Sequence, residues 1–132
     1  MIATRQRPAC PSMKGLPNEA LVQVAAYFQA LSEPTRLQIL NLLREQERSV
    51  GELAQLCDCS SANVSRHLAL LTQHGLVSRE TRGNSAFFHI ADASVYDLCD
   101  LVCGNIARQL ERTVQERAAF APPAAAPRGK TR

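Results

Sequence analysis

The chain has 132 residues, 45% of them apolar, and a formal net charge of +3, which together predict one globular domain with a modest core. No apolar run approaches the roughly 20 residues that a membrane-spanning helix needs, and no apolar segment follows the N-terminal charges as in a secretory signal, so we expect a cytoplasmic protein without a membrane partner. The mild positive charge permits a nucleic-acid partner without requiring one.

The first 17 residues form a predicted flexible arm. Pro8, Pro11 and Pro17 lie in this segment with Gly15 and scattered basic residues, a composition that is typical of irregular structure. Cys10 belongs to the arm, either as an unstructured thiol or as a ligand that the arm carries to a site elsewhere.

Two helices are predicted after the arm. Asn18 can cap the first, which extends to about Leu31, and Ser32 can cap the second. Pro34 then falls in the first turn, where its missing N–H has no cost. The second helix is apolar on more than one side and is the predicted central helix of the core, while residues 44–48 are interpreted as a solvated loop. The apolar positions are Leu21, Val24, Ala25, Phe28 and Leu31 in the first helix and Leu37, Ile39, Leu40, Leu42 and Leu43 in the second.

Residues 49–76 predict two short helices joined by a tight turn. Ser49 with Glu52 matches the capping box at the start of the first, and Cys57-Asp58-Cys59 forms the turn. Ser60 is a good N-cap for the second, and Gly75 can end it in a left-handed conformation. The predicted buried positions are Leu53, Ala54 and Leu56 in the first helix and Val64, Leu68 and Leu71 in the second.

A two-stranded ribbon is predicted next, from residues 77–81 and 86–90, where apolar and polar residues alternate. Gly83-Asn84 supplies the positive backbone angles that a tight hairpin turn favours. Arg79 and Arg82 make the ribbon basic toward its tip, as expected of a wing beside a DNA-reading helix.

The last predicted helix begins at a cap on Asp92 or Ser94 and ends near Ala118. Its long apolar stripe exceeds what a small core needs, so we interpret the surplus as a dimer surface, shared with the first helix. Residues 18–118 are thus one folded domain, and residues 119–132 are predicted to be a disordered tail. The stripe consists of Val95, Leu98, Val102, Ile106, Leu110 and Val114.

The second helix of the pair has the polar outer face that major-groove reading requires. Asn63 can pair with adenine through its amide, and Arg66 can bind guanine as a fork, although a polar face is also what any solvated helix shows. His67 can either touch phosphate or pack between helices, and we favour packing. With no tryptophan in the chain, base stacking on single strands is disfavoured and double-stranded DNA is the expected partner. The predicted contacts are Ser61, Asn63, Ser65, Arg66, His67, Arg79, Arg82 and Asn84.

This order of helices, reading pair and ribbon resembles the ArsR/SmtB family of winged helix-turn-helix repressors over roughly residues 20–110. The resemblance implies a mainly α fold with a small β-hairpin, dimeric through its N- and C-terminal helices. It also implies a homodimer that binds a palindromic operator and releases it when a metal, metalloid or other inducer binds. The segments that carry it are Leu31-Ser32-Glu33-Pro34-Thr35-Arg36-Leu37-Gln38-Ile39-Leu40, Val64-Ser65-Arg66-His67-Leu68, Leu70-Leu71, Gly75-Leu76-Val77 and Arg82-Gly83.

Five cysteines in a chain expected to be cytoplasmic favour free thiols, metal ligands or redox sensing over structural disulfides. Cys99 and Cys103 are four residues apart on the last helix, so their Cβ atoms lie about 5–6 Å apart on one face. Two thiolates there can bind one soft ion, and the same softness extends to As(III) and Sb(III). The alternative is two small apolar residues in a dimer stripe.

Many arsenic- and cadmium-sensing members of the resembled family have a Cys-Val-Cys-Asp-Leu motif on the first reading helix. Those cysteine positions fall here on Ser49 and Gly51, so that site is missing. Cys57 is expected to be buried and Cys59 exposed, and either of them, or Cys10, is a candidate third thiolate. Zinc is disfavoured as the inducer, because the last helix has no histidine and the chain's three histidines are not at metal spacing.

The leading hypothesis is a repressor without a constitutive cofactor that releases DNA on binding As(III), Sb(III) or an organoarsenical. The alternative is a redox or reactive-sulfur sensor in which two cysteines join. A thiol enzyme is disfavoured, because the chain has no Cys-x-x-Cys and no phosphate-binding glycine loop. A purely architectural DNA binder remains open and would show no operator specificity.

Overall fold

A computed structural model describes residues 12–122. The predicted mainly helical fold with a small hairpin is confirmed, although the sheet has a third strand, and all three strands pair antiparallel. Cys10 and most of the predicted arm and tail lie outside the described residues. The helices are α1 (Asn18–Ala30), α2 (Pro34–Glu45), α3 (Val50–Cys57), α4 (Ser61–Gln73) and α5 (Ser94–Phe120), and the strands are β1 (Arg48–Ser49), β2 (Val77–Arg82) and β3 (Ser85–Ile90).

The chain divides into two compact units, one that ends at Asp92 and one that begins at Ala93. In the first, α2 contacts α3, α4 and β3, which confirms it as the central helix. Its buried residues are Ile39, Leu40 and Leu43. They pack in a core completed by Ala30, Leu53, Val64, Leu68, Leu71, Leu76, Val77 and Phe88.

Leu56, predicted to be buried, is instead 48% exposed. The eight-residue helix α3 packs against α2 and α4, and these neighbours cover only the side that bears Leu53. The apolar spacing of so short a helix therefore did not determine which of its leucines would be covered.

The helix-turn-helix pair begins and turns as predicted. Ser49 Oγ accepts the amide of Glu52, and the Glu52 carboxylate accepts the amide of Ser49 in return. Ser60 Oγ accepts the amide of Asn63 at 3.1 Å and caps α4. These bonds satisfy N–H groups that a helix start leaves without a partner, so both reading helices begin at a position fixed by sequence.

The cap of α2 is Glu33, and the predicted cap Ser32 is wrong. Glu33 Oε2 accepts the Arg36 amide at 2.9 Å, while the Ser32 hydroxyl donates to the carbonyl of Gln29 at 2.7 Å. The connection from α1 to α2 is so short that Ser32 serves the end of the first helix. Pro34 is the first residue of α2, as expected.

The outer helices begin without a side-chain cap, contrary to prediction. Asn18 is itself the first residue of α1, because the carbonyl of Pro17 already accepts helical amides. In α5 the residue before the helix is Ala93, which has a right-handed helical backbone. The turn therefore starts between the two predicted caps, Asp92 and Ser94.

The hairpin is confirmed and is one residue longer in each strand than predicted. Its two-residue turn is Gly83-Asn84, with Gly83 at φ +60°. The expectation of a positive φ at Asn84 is wrong, since among the described residues Asp58 is the only non-glycine with positive φ.

The short strand β1 lies in a segment interpreted in part as loop. Arg48 pairs with Phe88 and Ser49 with Phe87, so β3 is the central strand of the sheet. The sequence did not predict this strand, because two residues are too few to show an alternating pattern and Ser49 was already assigned as the cap of α3. This strand attaches the ribbon to the start of the helix pair.

The main element of the second unit, as far as the structure describes it, is α5, a helix of 27 residues. Val95 and Tyr96 near its start are buried, whereas its later apolar side chains are exposed. These exposed residues are Leu101, Val102, Ile106, Leu110, Val114 and Phe120. Among the described residues, no helix combines the length and the apolar character needed to cross a membrane.

We predict that Ser49→Ala lowers the free energy of unfolding by about 1 kcal/mol, since it removes one bond of the capping box. The matched control is Ser65→Ala on the exposed face of α4, which should be neutral or slightly stabilising. Urea unfolding at one fixed protein concentration measures both changes. Equal stabilities for the two variants would contradict the role of the cap.

Candidate DNA interface and thiol sites

The outer face of α4 carries the predicted base-reading side chains. Ser61, Asn63, Ser65 and Arg66 are all exposed, while Val64, Leu68 and Leu71 on the opposite side are buried. Arg66 Nη2 donates to Asn63 Oδ1, so the amide and the guanidinium lie side by side. A guanidinium has five donors, so this bond leaves further N–H groups for base edges.

His67 lies on the flank of α4 that contacts α2. Its Nδ1 is 3.2 Å from Arg36 Nη1 and its Nε2 is 3.8 Å from Glu33 Oε2. Arg36 also donates to the carbonyls of Ala30 at 2.6 Å and Gln29 at 3.1 Å. One guanidinium thus connects the end of α1, the start of α2 and the reading helix.

The charge state of Glu33 fits this arrangement. Burial favours its neutral form, but the Arg36 amide and the nearby His67 favour the carboxylate and hold the pKa of Glu33 below its usual value. The carboxylate is therefore available both as the cap of α2 and as a partner for His67.

The two wing arginines project from opposite faces of β2, because side chains alternate along a strand. Arg79 is paired with the buried Phe88 and faces a groove of about 550 Å³ between α4 and the ribbon. Arg82 shares the other face with Glu80. Asn84 is exposed in the turn. The groove is lined by Val50, Ser65, Ala69, Thr72, Gln73, Arg79, Ala86 and Phe88.

Arg82 is held by carboxylates. Its Nη1 is 2.6 Å from Glu47 Oε1, and its Nη2 is 2.9 Å from Glu47 Oε2 and 3.0 Å from Glu80 Oε2. The guanidinium carbon lies 5.2 Å from the centre of the Phe87 ring. Hydrogen bonds from Arg82 lower the pKa of Glu47, and the same bonds raise the pKa of Arg82.

In the part of the chain that the structure describes, one trio of potential metal ligands comes together: Glu47, Glu80 and His89, whose ligand atoms lie within 4.8 Å of one another. Both of its carboxylates are paired with the guanidinium of Arg82. We therefore interpret the trio as part of an ion-pair cluster.

The four described cysteines lie as one pair in each unit, and none of the four forms a disulfide. On α5, Cys99 is half-buried and Cys103 is exposed, one helical turn apart. Cys57 and Cys59 flank Asp58, whose φ of 53° forms the turn between α3 and α4. Within each unit, no third described ligand completes a trio with either pair.

Cys57 and Cys59 are both half-buried, so the expected contrast between a buried and an exposed thiol is wrong. The turn folds Cys59 back, and its Sγ donates to the carbonyl of Cys57 at 3.3 Å. Burial, and to a lesser extent the neighbouring Cys59, raise the pKa of the Cys57 thiol. Its thiolate is therefore less populated than that of an ordinary cysteine at neutral pH.

The functional contacts of Arg36 and Glu47 were missed by sequence reasoning. Arg36 was noted only as part of a resemblance, and Glu47 lies in the segment interpreted as a solvated loop. The partner of Glu47 lies 35 residues away, and no periodicity or spacing signals a pair of that kind.

Comparisons with known proteins agree with this geometry. The helix-turn-helix domain family HTH_20 matches residues 31–80. The transcriptional regulator NmtR of Mycobacterium tuberculosis is 36% identical over 96 residues, 73% of this chain and 77% of NmtR. The crystal structure of M. tuberculosis Rv0081 superposes with a TM-score of 0.66 at 34% identity, covering 75% of this chain and 98% of that one.

A second similar structure is the homodimeric winged helix-turn-helix DNA-binding domain of Mb0332 from Mycobacterium bovis, a possible ArsR-family regulator. Its TM-score is 0.64 at 33% identity, over 76% of this chain and 95% of that one. The fold and the polar reading helix thus define a winged helix-turn-helix transcriptional regulator. The chain belongs to the ArsR/SmtB family, whose members are DNA-binding regulators and not enzymes.

Proposed function

We propose that this protein is a homodimeric repressor that binds a palindromic operator and releases it when As(III), Sb(III) or an organoarsenical binds cysteine thiolates. The observation that carries the DNA-binding part is the pairing of Asn63 and Arg66 on the exposed face of a helix whose other face is buried. Operator binding also implies a cytoplasmic location. No constitutive cofactor is part of the proposal.

The reading helix has the shape and chemistry for the major groove, which admits an α-helix and offers a distinct donor and acceptor pattern for each base pair. Asn63 matches adenine and Arg66 matches guanine, while Ser61 and Ser65 are short enough to reach phosphate or base edges. Arg79 faces the groove beside the same helix and supplies positive charge toward the DNA backbone.

Dimerisation is supported by exposed apolar surface on the terminal helices. On α5, Leu110 and Val114 are 63% and 66% exposed, and α1 exposes Val22 and Phe28. Apolar surface of this extent on helices marks a protein contact. The similar domain of Mb0332 is homodimeric, so a second copy of this chain is the proposed partner.

The proposed inducer site is the thiol pair Cys99 and Cys103 on α5. Their helical spacing allows both sulfurs to bind one soft ion, and Cys103 is exposed to solution. An organoarsenical with one valence blocked needs only these two sulfurs, whereas inorganic As(III) with three sulfurs also needs Cys57, Cys59 or Cys10. A coupling of about 1–3 kcal/mol between the ion and DNA would weaken operator binding several-fold or more.

We predict that Arg66→Ala weakens operator binding by about 1–3 kcal/mol per lost base contact and changes binding to random DNA much less. The matched control is Arg117→Ala, which removes the same charge from a different helix, α5. Fluorescence anisotropy on operator and random duplexes measures both. Equal loss on the two duplexes would show that Arg66 contacts phosphate only.

We further predict that As(III), Sb(III) and a phenylarsenical dissociate the operator complex, whereas Zn(II) does not. Cys99→Ser and Cys103→Ser should each abolish the response while leaving operator affinity unchanged. Titration of the preformed complex with each species, with Cd(II) as a soft divalent comparison, measures the release.

The double variant Cys57→Ser/Cys59→Ser separates two- from three-sulfur binding. If the turn supplies a third sulfur, this variant loses its response to As(III) and keeps its response to the phenylarsenical. Normal release from the Cys99 and Cys103 variants would overturn the proposed site. Release by peroxide or polysulfide in the absence of metalloid would instead support the redox or reactive-sulfur alternative.

A further inference from the structure

The two arginines of the wing have different surroundings. Arg79 faces the groove beside α4, and the side chains that line this groove near it carry no negative charge. Arg82 lies on the opposite face of β2 and is bonded by two carboxylates. The two arginines add the same charge to the ribbon, but they lie on opposite faces of β2 and have different neighbours.

The bond between Arg82 and Glu47 is a bidentate fork, with both oxygens of one carboxylate accepting from the two terminal nitrogens at 2.6 and 2.9 Å. This geometry is the strongest that an arginine makes with a carboxylate. Glu80 accepts a further bond at 3.0 Å, and the Phe87 ring packs near the guanidinium. The cluster is half-exposed, so its strength comes from the fork and the network more than from a single ion pair.

The position of Glu47 means that the fork joins two segments that are distant in the sequence. Glu47 directly precedes β1, which joins the sheet through only two residues. Arg82 ends β2 next to the turn of the hairpin. The ion pair therefore connects the outer end of the ribbon to the segment that leads into α3, across the central strand β3.

We propose that Arg82 is a positioning residue that fixes the wing through Glu47, and that Arg79 is the arginine of the wing that contacts DNA phosphate. This inference rests on the proposed operator binding and refines its contact set. One guanidinium between two carboxylates gives the outer face no excess positive charge. If a phosphate displaced the carboxylates, two negative groups would be left facing the DNA.

The test compares the operator affinity of Arg79→Gln, Arg82→Gln, Glu47→Gln and the double variant Arg82→Gln/Glu47→Gln at several salt concentrations. Loss of a phosphate contact lowers the slope of log K against log salt by about 1, which we expect for Arg79→Gln alone. Arg82→Gln and Glu47→Gln should each weaken binding several-fold with the slope unchanged. The double variant should bind operator about as weakly as each single variant, because all three lack the same fork. Its net charge equals that of the parent protein, so charge alone would instead predict parental affinity.

Glu45→Gln is the matched control, because it neutralises a carboxylate that pairs with Arg48 of β1 at 3.2 Å and leaves the fork between Arg82 and Glu47 intact. A direct contact by Arg82 predicts the opposite sign for Glu47→Gln, namely tighter binding than the control, together with a slope reduced by about 1 in Arg82→Gln. Either result would overturn the positioning role.

Hydrogen exchange of the free protein provides a readout that does not need DNA. Arg82→Gln and Glu47→Gln should both accelerate exchange of the ribbon amides, and Glu45→Gln should not. Unchanged exchange rates in Arg82→Gln and Glu47→Gln would contradict the proposal that Arg82 holds the wing through Glu47. If the parent protein fails to bind any operator specifically, the proposed function fails, while this exchange measurement still decides whether Arg82 holds the wing.

Discussion

The burial of one face of α4 is the constraint on which the DNA interface depends. Val64 and Leu71 are 0% exposed and Leu68 is 1% exposed, and each such side chain contributes about 1.5–3 kcal/mol on burial. Exposed ion pairs typically contribute no more than about 1 kcal/mol. Core packing therefore sets the rotation of the helix about its axis. Because the apolar residues must point inward, Asn63 and Arg66 point outward.

Polar contacts then fix where this helix begins and what it is joined to. The Ser60 cap sets the first residue of α4. Gly75, at φ +71°, lies just after the end of the helix and turns the chain toward the wing. The guanidinium of Arg36 links His67 on α4 to the last carbonyls of α1. Since α1 exposes apolar surface that we propose as a dimer contact, this link joins that helix to the reading helix within one compact unit.

The parts of the fold that the sequence predicted are those with a local signal. Helical periodicity identified the buried face of α4, the capping box identified Ser49, and alternation with a glycine turn identified the hairpin. The Arg82–Glu47 pair has no such signal, because its partners meet only in the folded sheet. The cap at Glu33 was missed because two adjacent residues can both cap a helix, and tertiary geometry assigns Ser32 to the preceding helix. The exposure of Leu56 likewise depends on which neighbours cover a short helix.

In the function that we propose, two copies of α4 read the major groove of one operator. Dimethyl sulfate protection tests it most directly, because the reagent methylates guanine N7 in the major groove, the atom that the Arg66 fork would cover. We predict two protected clusters, related by the dyad of the operator and centred about one helical turn, roughly 34 Å, apart. Protection of a single half-site, or unprotected guanines in a complex that still forms, would contradict the claim.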